Sequence, residues 1–463
     1  MMNTANSPGS PPAAGAAGAA GTAGASSAAG GAAGAPSAVG ASSASGAAGA
    51  SPTVGAAGRP DQTQHRQLHD GRMLEADFDM SPFTIAWEIT RACAYACVHC
   101  RADAQHVRDP GELSTAEAKG LIDRIKDFGS PILIFTGGDP MMRPDLFELI
   151  EYATKKGLRC SLTPTATKLP TKEKLQKAMD AGIKRIALSL DAPTAAVHDD
   201  FRKVPGSWDR TMDILRTALS IGLSAQINTT VSKHNLDILP DMVKFVKEVG
   251  AVQWSVFFLV PTGRAHAEAM ISAEEHERVF NWLYDLSLKG DFDIKATAAP
   301  MYRRVAIERK RAEKGSIEAN FQGAGFQYAD GLNRPVKGVN DGRGFLFVSH
   351  TGDIMPSGFF PLAAGNVKKD DIVEIYRNSK LFRELRDPGL LKGRCGVCDY
   401  KVVCGGQRGR AWAMTGDYLE TDPACVYVPP RRDDVSPNRD DRSSRRDDVS
   451  PHRGDAPSAG SAP

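Results

Sequence analysis

Three cysteines, Cys93, Cys97 and Cys100, fall within the short stretch RACAYACVHCRADA. Thiolates are the usual ligands of iron–sulfur clusters, and a loop folded over a cubane lets close sequence neighbours reach three of its corners. Three ligands leave one iron open to a small chelating molecule that offers an amine and a carboxylate. The competing readings are a zinc ion completed by His99, or thiols that merely pack. His99 stands next to Cys100, and both would reach one metal together with the other two thiols only under strain.

A second group, Cys395, Cys398, Cys404 and Cys425, lies in CGVCDYKVVCGG and PACVY. Four thiols make a complete ligand set, for a structural zinc or for a closed cluster, and spacing alone leaves both open. The two groups use all but one of the 8 cysteines; the remaining one, Cys160, sits in a strand pattern and reads as a small buried hydrophobe. Thiols so arranged suit a reducing compartment, not a disulfide framework, so the expected location is cytoplasmic.

The elements that must hold these residues alternate. FTIAWEIT (83–90) is the first expected strand, and the cysteine loop follows it. STAEAKGLIDRIKDFG opens on Ser114 with Glu117 three residues on and stops at Gly129, a helix marked at both ends. Strands in PILIFTGGDP, RCSLTPTA, KRIALSLDA, SAQINTTVS and VQWSVFFLVP then alternate with amphipathic helices. Crossovers of that length fit a parallel sheet, in an open doubly wound form or a barrel. The chemically interesting stretches all follow strands, which favours a partial six-stranded, TIM-like α/β barrel over residues 78–262. Linking helices are expected over 263–340, and a hairpin, a helix at DIVEIYRNSKLFRELRD and the second cysteine group over 341–428.

Polar groups recur at the strand ends. In FTGGDP, Gly137 and Gly138 let backbone come close to a ligand, and carbonyls with Asp139 can accept from an ammonium. SLDA puts Ser189 and Asp191 on one side of a strand, and NTT does the same for Asn228 and Thr230. A Ser or Asn there is as often a satisfied core group. Arg264, in VPTGRA, can pair bidentately with a carboxylate of cofactor or substrate, or serve as a cap or surface residue.

Residues 1–72 are Ala, Gly, Ser and Pro with hardly a large apolar side chain, and 429–463 repeat RRDDVSP; both are expected to be disordered. A net charge of +2 gives no bulk attraction to nucleic acid or membrane, and no apolar run is long enough to span a bilayer.

The Cys-x3-Cys-x2-Cys spacing directly after the first strand resembles the signature of the radical S-adenosylmethionine (SAM) enzymes, and the likeness runs over about 84–428. It implies that the open iron of a [4Fe–4S] cluster chelates the methionine part of SAM. An electron from the cluster then cleaves the sulfonium to a 5′-deoxyadenosyl radical that abstracts a substrate hydrogen. It further implies that His99 lies against the adenine and that FTGGDP, with Asp139 where many relatives carry Glu, receives the methionine amino group. Ser189, Asp191, Asn228 and Thr230 would reach the ribose and the methionine carboxylate.

The C-terminal group resembles the SPASM or twitch extension, which holds a further [4Fe–4S] cluster. In TGDIMPSGF, Ser357 stands where a full SPASM domain places another cysteine, so one fully ligated auxiliary cluster is expected, suited to electron transfer. FFLVPTGRA, TAAPMYRRV and LKGRCGVCDYKVVCGG look most like the heme-biosynthesis branch, whose members modify tetrapyrrole propionates. A second branch matures ribosomal peptides. The resemblance thus implies an electron donor such as ferredoxin or flavodoxin, and a tetrapyrrole or peptide substrate. Two non-catalytic readings compete. An electron carrier would need both clusters closed, and a zinc protein would not need the Gly-Gly-Asp-Pro turn.

Overall fold

The computed structural model describes residues 77–289, 292–314 and 338–430. The tails expected to be disordered (1–72, and 429–463 save its first two residues) and the Gly-rich part of the linking segment lie outside them.

β1 (Thr84–Glu88) leads into the cysteine loop, and α1 (Thr115–Lys126) returns the chain. Ser114 and Glu117 form the reciprocal capping box that the spacing predicts, and Ala118, Leu121, Ile122 and Ile125 bury one face of α1. Next come β2 (Ile132–Thr136), α2 (Leu146–Lys155), β3 (Arg159–Leu162), α3 (Lys172–Asp180) and β4 (Arg185–Ser189). Two helices follow, α4 (Ala195–Arg202) and α5 (Ser207–Ser220). The series continues through β5 (Ser224–Val231), α6 (Leu239–Glu248) and β6 (Gln253–Phe258).

All six strands pair in parallel and in chain order. One face of the sheet is apolar: Phe135, Leu162, Leu188, Ile227 and Trp254 are buried against the helices. Burying each side chain of that size stabilises the fold by about 1.5–3 kcal/mol. The opposite face is polar along one row, because period-two alternation turns Ser189, Asn228 and Ser255 to the same side in matched register.

The linking region needs correction. Besides α7 (Ala273–Ser287) and α8 (Met301–Lys314) it contains a strand, β7 (Asp293–Thr297), which extends the sheet beyond β6. Only its first two residues are buried, so this edge strand carries little apolar pattern.

β8 (Asn340–Asp341) and β9 (Gly344–Val348) follow, and β9 runs parallel to β1 on the side opposite β2. The C-terminal region is thereby hydrogen-bonded into the same sheet, which runs open from β7 to the far edge. The expected hairpin is present as β9 and β10 (Asp353–Met355), with β11 (Gly365–Asn366) outside it. The single helix expected at DIVEIYRNSKLFRELRD is two, α9 (Ile372–Asn378) and α10 (Lys380–Arg386), because Ser379 is extended (φ −63°, ψ 145°). α11 (Gly393–Val397) and α12 (Arg408–Thr415) frame the second cysteine group. Among the described residues no helix is long and apolar enough to cross a membrane.

Candidate active site

The cysteine loop, the Gly-Gly-Asp-Pro turn, Thr165, Asp191 and Arg264 all follow the C-terminal ends of parallel strands, so they share one end of the sheet. Main-chain contacts bind loop to turn. The N–H groups of Gly138 and Asp139 donate to the carbonyls of Thr90 (2.8 Å) and Ala92 (2.7 Å).

A Cβ on Gly137 would meet the Thr90 carbonyl at 2.4 Å, and one on Gly138 the Ala92 carbonyl at 2.4 Å. The missing side chains therefore make room for the chain entering the cysteine loop, where the sequence assigns them to a ligand. Asp139 is also engaged within the fold. It is buried, accepts from the Met141 N–H (3.1 Å) and takes the Thr167 hydroxyl (2.9 Å). Burial pushes its pKa up.

Arg264 makes bonds within the fold that its sequence position does not announce. Its Nε donates to the Cys97 carbonyl (2.9 Å), and its Nη1 to Asp103 (2.9 Å) and the Ala104 carbonyl (3.1 Å). It clasps the cysteine loop, and among the described residues its buried Nη2 has no hydrogen-bond partner. Gly263 (φ +65°) belongs to the same contact, since a Cβ there would strike the Arg101 carbonyl at 2.4 Å.

Asp191 and His99 form a buried corner. Asp191 Oδ2 takes Arg202 Nε (2.8 Å) and Nη2 (2.7 Å), while Oδ1 accepts the Thr230 N–H (2.8 Å). Burial alone would raise its pKa; Arg202, with His99 and His198, outweighs that and holds it low. His99 stacks on Phe201 (4.2 Å, 9°), and its Nε2 lies 3.9 Å from Asp191. Burial lowers its pKa to about 4, so the ring is neutral near pH 7.

Ser189 and Asn228 stand side by side in register on the polar face. Gln226 donates to the Asn228 side chain (2.6 Å), and Ser255 and Thr297 continue the row through a 3.0 Å contact. This row has the polar groups to receive a hydroxylated ligand.

The four C-terminal thiols surround one pocket, shared with Tyr400 and Tyr427 and walled by Met301 and Arg304 of α8. The helix expected only to link thus forms part of the site. Ser357 is absent from this lining; its hydroxyl accepts the Phe359 N–H (3.2 Å).

Both sites share a bonding pattern in which the N–H two residues on donates to a cysteine sulfur. It occurs from Tyr95 to Cys93, Tyr400 to Cys398 and Gly406 to Cys404, each at 3.4 Å. Such bonds favour the thiolate and tune a bound cluster. Burial pushes the bare thiols the other way, Cys93 up to about 11 and Cys404 up to about 12, and raises Cys97, Cys398 and Cys425.

All 8 cysteines are free of disulfides. Among the described residues no three or more His, Cys, Asp or Glu side chains are gathered tightly enough to hold a single ion. Cys160 packs in the core, as expected.

The Radical SAM superfamily model matches residues 87–246. The chain is 45% identical to the "AdoMet-dependent heme synthase" of Nitratidesulfovibrio vulgaris, over 79% of this chain and 98% of that one. This is a radical SAM enzyme. A relative of the same name from Methanosarcina barkeri is 43% identical, over 76% of this chain and 98% of its own. The solved structure of Streptococcus suis SuiB bound to precursor peptide SuiA shares the fold, with a TM-score of 0.57 and 16% identity, covering 75% of this chain and 76% of that one. As a radical SAM enzyme the protein works with a [4Fe–4S] cluster and SAM, and needs a reductant and a substrate.

Two groups escaped the sequence reading. Arg202 ends α4, a helix with only His198 and Phe201 buried, too narrow a stripe to register. Glu88, in an otherwise apolar strand, meets Arg101 (3.1 Å) and His350 (2.9 Å) and so ties the exit of the cysteine loop to β1 and the β9–β10 turn. A carboxylate inside a buried strand was the available signal.

Proposed function

We propose that this radical SAM enzyme oxidatively decarboxylates propionate side chains of an iron tetrapyrrole in heme biosynthesis. The observation that carries the reading is the 43–45% identity to two enzymes named heme synthase, from a bacterium and an archaeon, over nearly their whole length. The likeness to a peptide-modifying enzyme is one of fold at 16% identity, and supports no peptide substrate.

In this reading Cys93, Cys97 and Cys100 hold three corners of the first cluster, and His99 with the Ser189–Asn228 row borders SAM. Cys395, Cys398, Cys404 and Cys425 close the auxiliary cluster. The bound cluster and SAM supply the radical that removes a propionate hydrogen. The protein's own part is positional. Arg264, Glu88 and the two glycines fix the three-thiol loop at the mouth of the sheet, above a polar face able to hold SAM hydroxyls. The substrate gives up one hydrogen atom, one electron and CO2, leaving a vinyl group; a cluster held by Cys395, Cys398, Cys404 and Cys425 would supply an acceptor for that electron. A ferredoxin or flavodoxin supplies the reducing electron, and the free thiols suit a cytoplasmic location.

The test is anaerobic incubation of reconstituted protein with SAM, reductant and a siroheme-derived tetrapyrrole. Vinyl-bearing product formed with matching 5′-deoxyadenosine supports the reading. Uncoupled SAM cleavage with the tetrapyrrole returned intact would overturn it.

A further inference from the structure

The structure sets a guanidinium against one ligand sulfur at each cysteine site, and the two differ in what balances the charge. At the first, Arg202 Nη1 lies 4.0 Å from Cys97 Sγ, while its Nε and Nη2 engage Asp191. The cation is neutralised where it stands. At the second, Arg408 Nη2 lies 3.8 Å from Cys395 Sγ. Its other bonded acceptors are the main-chain carbonyls of Gly406 (3.2 Å), Tyr418 (2.9 Å) and Glu420 (2.8 Å).

The charge of Arg408 reaches Asp341, Asp417 and Asp422, but none of these carboxylates is hydrogen-bonded to it. Asp422 pairs with Arg410 (3.0 Å), Asp341 accepts the Gly409 N–H (2.8 Å), and Glu277 and Glu308 pair with Arg304 across the pocket. The arrangement is built in. Gly406 (φ +67°) has a left-handed backbone that strains other residues, and a Cβ there would crowd Arg408 Nη2 and lie 2.8 Å from Asp422 Cβ.

Adding an electron to a thiolate-bound cluster adds one negative charge, which a fixed buried cation in contact stabilises. A guanidinium already matched by a carboxylate contributes far less. We propose that Arg408 is a positioning residue for electron transfer, holding the auxiliary cluster at a higher reduction potential than the first. The one electron left on the substrate after hydrogen abstraction and CO2 loss then falls to the four-thiolate site. The proposal rests on reading those four thiolates as a cluster site.

The test is an EPR-monitored redox titration of reconstituted protein in which Cys93, Cys97 and Cys100 are replaced by Ala, so that only the second site signals. Arg408→Met should lower the midpoint so that reduction is at least about tenfold less favourable, about 59 mV for one electron. Arg408→Lys should recover part of the shift. Full iron with an unmoved midpoint in Arg408→Met would overturn the proposal. A parent protein without a four-iron signal would remove it together with the reading beneath it. Asp191→Asn supplies an independent arm in the otherwise unmodified enzyme. By exposing the charge of Arg202 it should raise the midpoint of the SAM-sensitive signal, and no rise there would also overturn the proposal.

Discussion

The two cysteine sites are made of the same chemistry and differ in how their thiols are arranged. Each buries thiols, donates an N–H from two residues on to a cysteine sulfur, and lays one guanidinium beside a sulfur. The first has three thiols in a loop held from outside, by Arg264, by Glu88 through Arg101, and by the glycine turn. The second has four thiols converging from α11, the loop before α12 and the segment after it, against a wall from α8. A three-thiol set leaves a corner for a ligand, and a four-thiol set leaves none. In the proposed reading, ligand count separates bond-breaking from electron storage.

The sharpest way to break this contrast is to remove a thiol at each site. Cys93→Ala, Cys97→Ala or Cys100→Ala should reduce 5′-deoxyadenosine formation to background, while about four irons per chain persist at the second site. Normal cleavage by any of the three would end the assignment. Cys404→Ala should do the reverse, losing about four irons while SAM cleavage survives with a strong chemical reductant. Tetrapyrrole turnover should fall by orders of magnitude, read by product mass. Full turnover would reduce the C-terminal site to a structural clamp.

Smaller effects sharpen the account of how the first loop is held. Gly138→Ala places a methyl 2.4 Å from the Ala92 carbonyl and 2.5 Å from that of Arg91, both main chain, so the loop must shift. SAM cleavage should drop by about tenfold or more, since small misplacements of reacting groups cost that much. Arg264→Ala removes bonds to two loop carbonyls and Asp103. It should speed chelator extraction of first-site iron while the second site holds. Cys160→Ala should cost about 1 kcal/mol or less in denaturant midpoint and leave iron content unchanged.

The legible parts of the molecule were local in sequence. The cysteine groups lie in short windows, and α1 announces itself through Ser114 and Glu117. Each site residue whose bonds the sequence did not announce has its partner far away in the chain. Arg264 is separated from Cys97 by 167 residues, and a sequence offers no means to tell a loop clasp from a carboxylate binder. Gly137 and Gly138 are places of close approach, and the chain from 90 to 92 comes close to both. The strand β7 and the pairing of β9 with β1 went unread because edge strands and parallel pairings across the chain leave little periodic signal.

The central claim is that only the three-thiol site has an open position, and that SAM fills it. The direct measurement is pulsed EPR of the reduced, reconstituted enzyme with SAM labelled at its methionine nitrogen and carboxylate. The account predicts hyperfine coupling from both labels on one cluster signal, its loss in Cys97→Ala, and its survival in Cys404→Ala. Coupling that survives in Cys97→Ala and disappears in Cys404→Ala would contradict it.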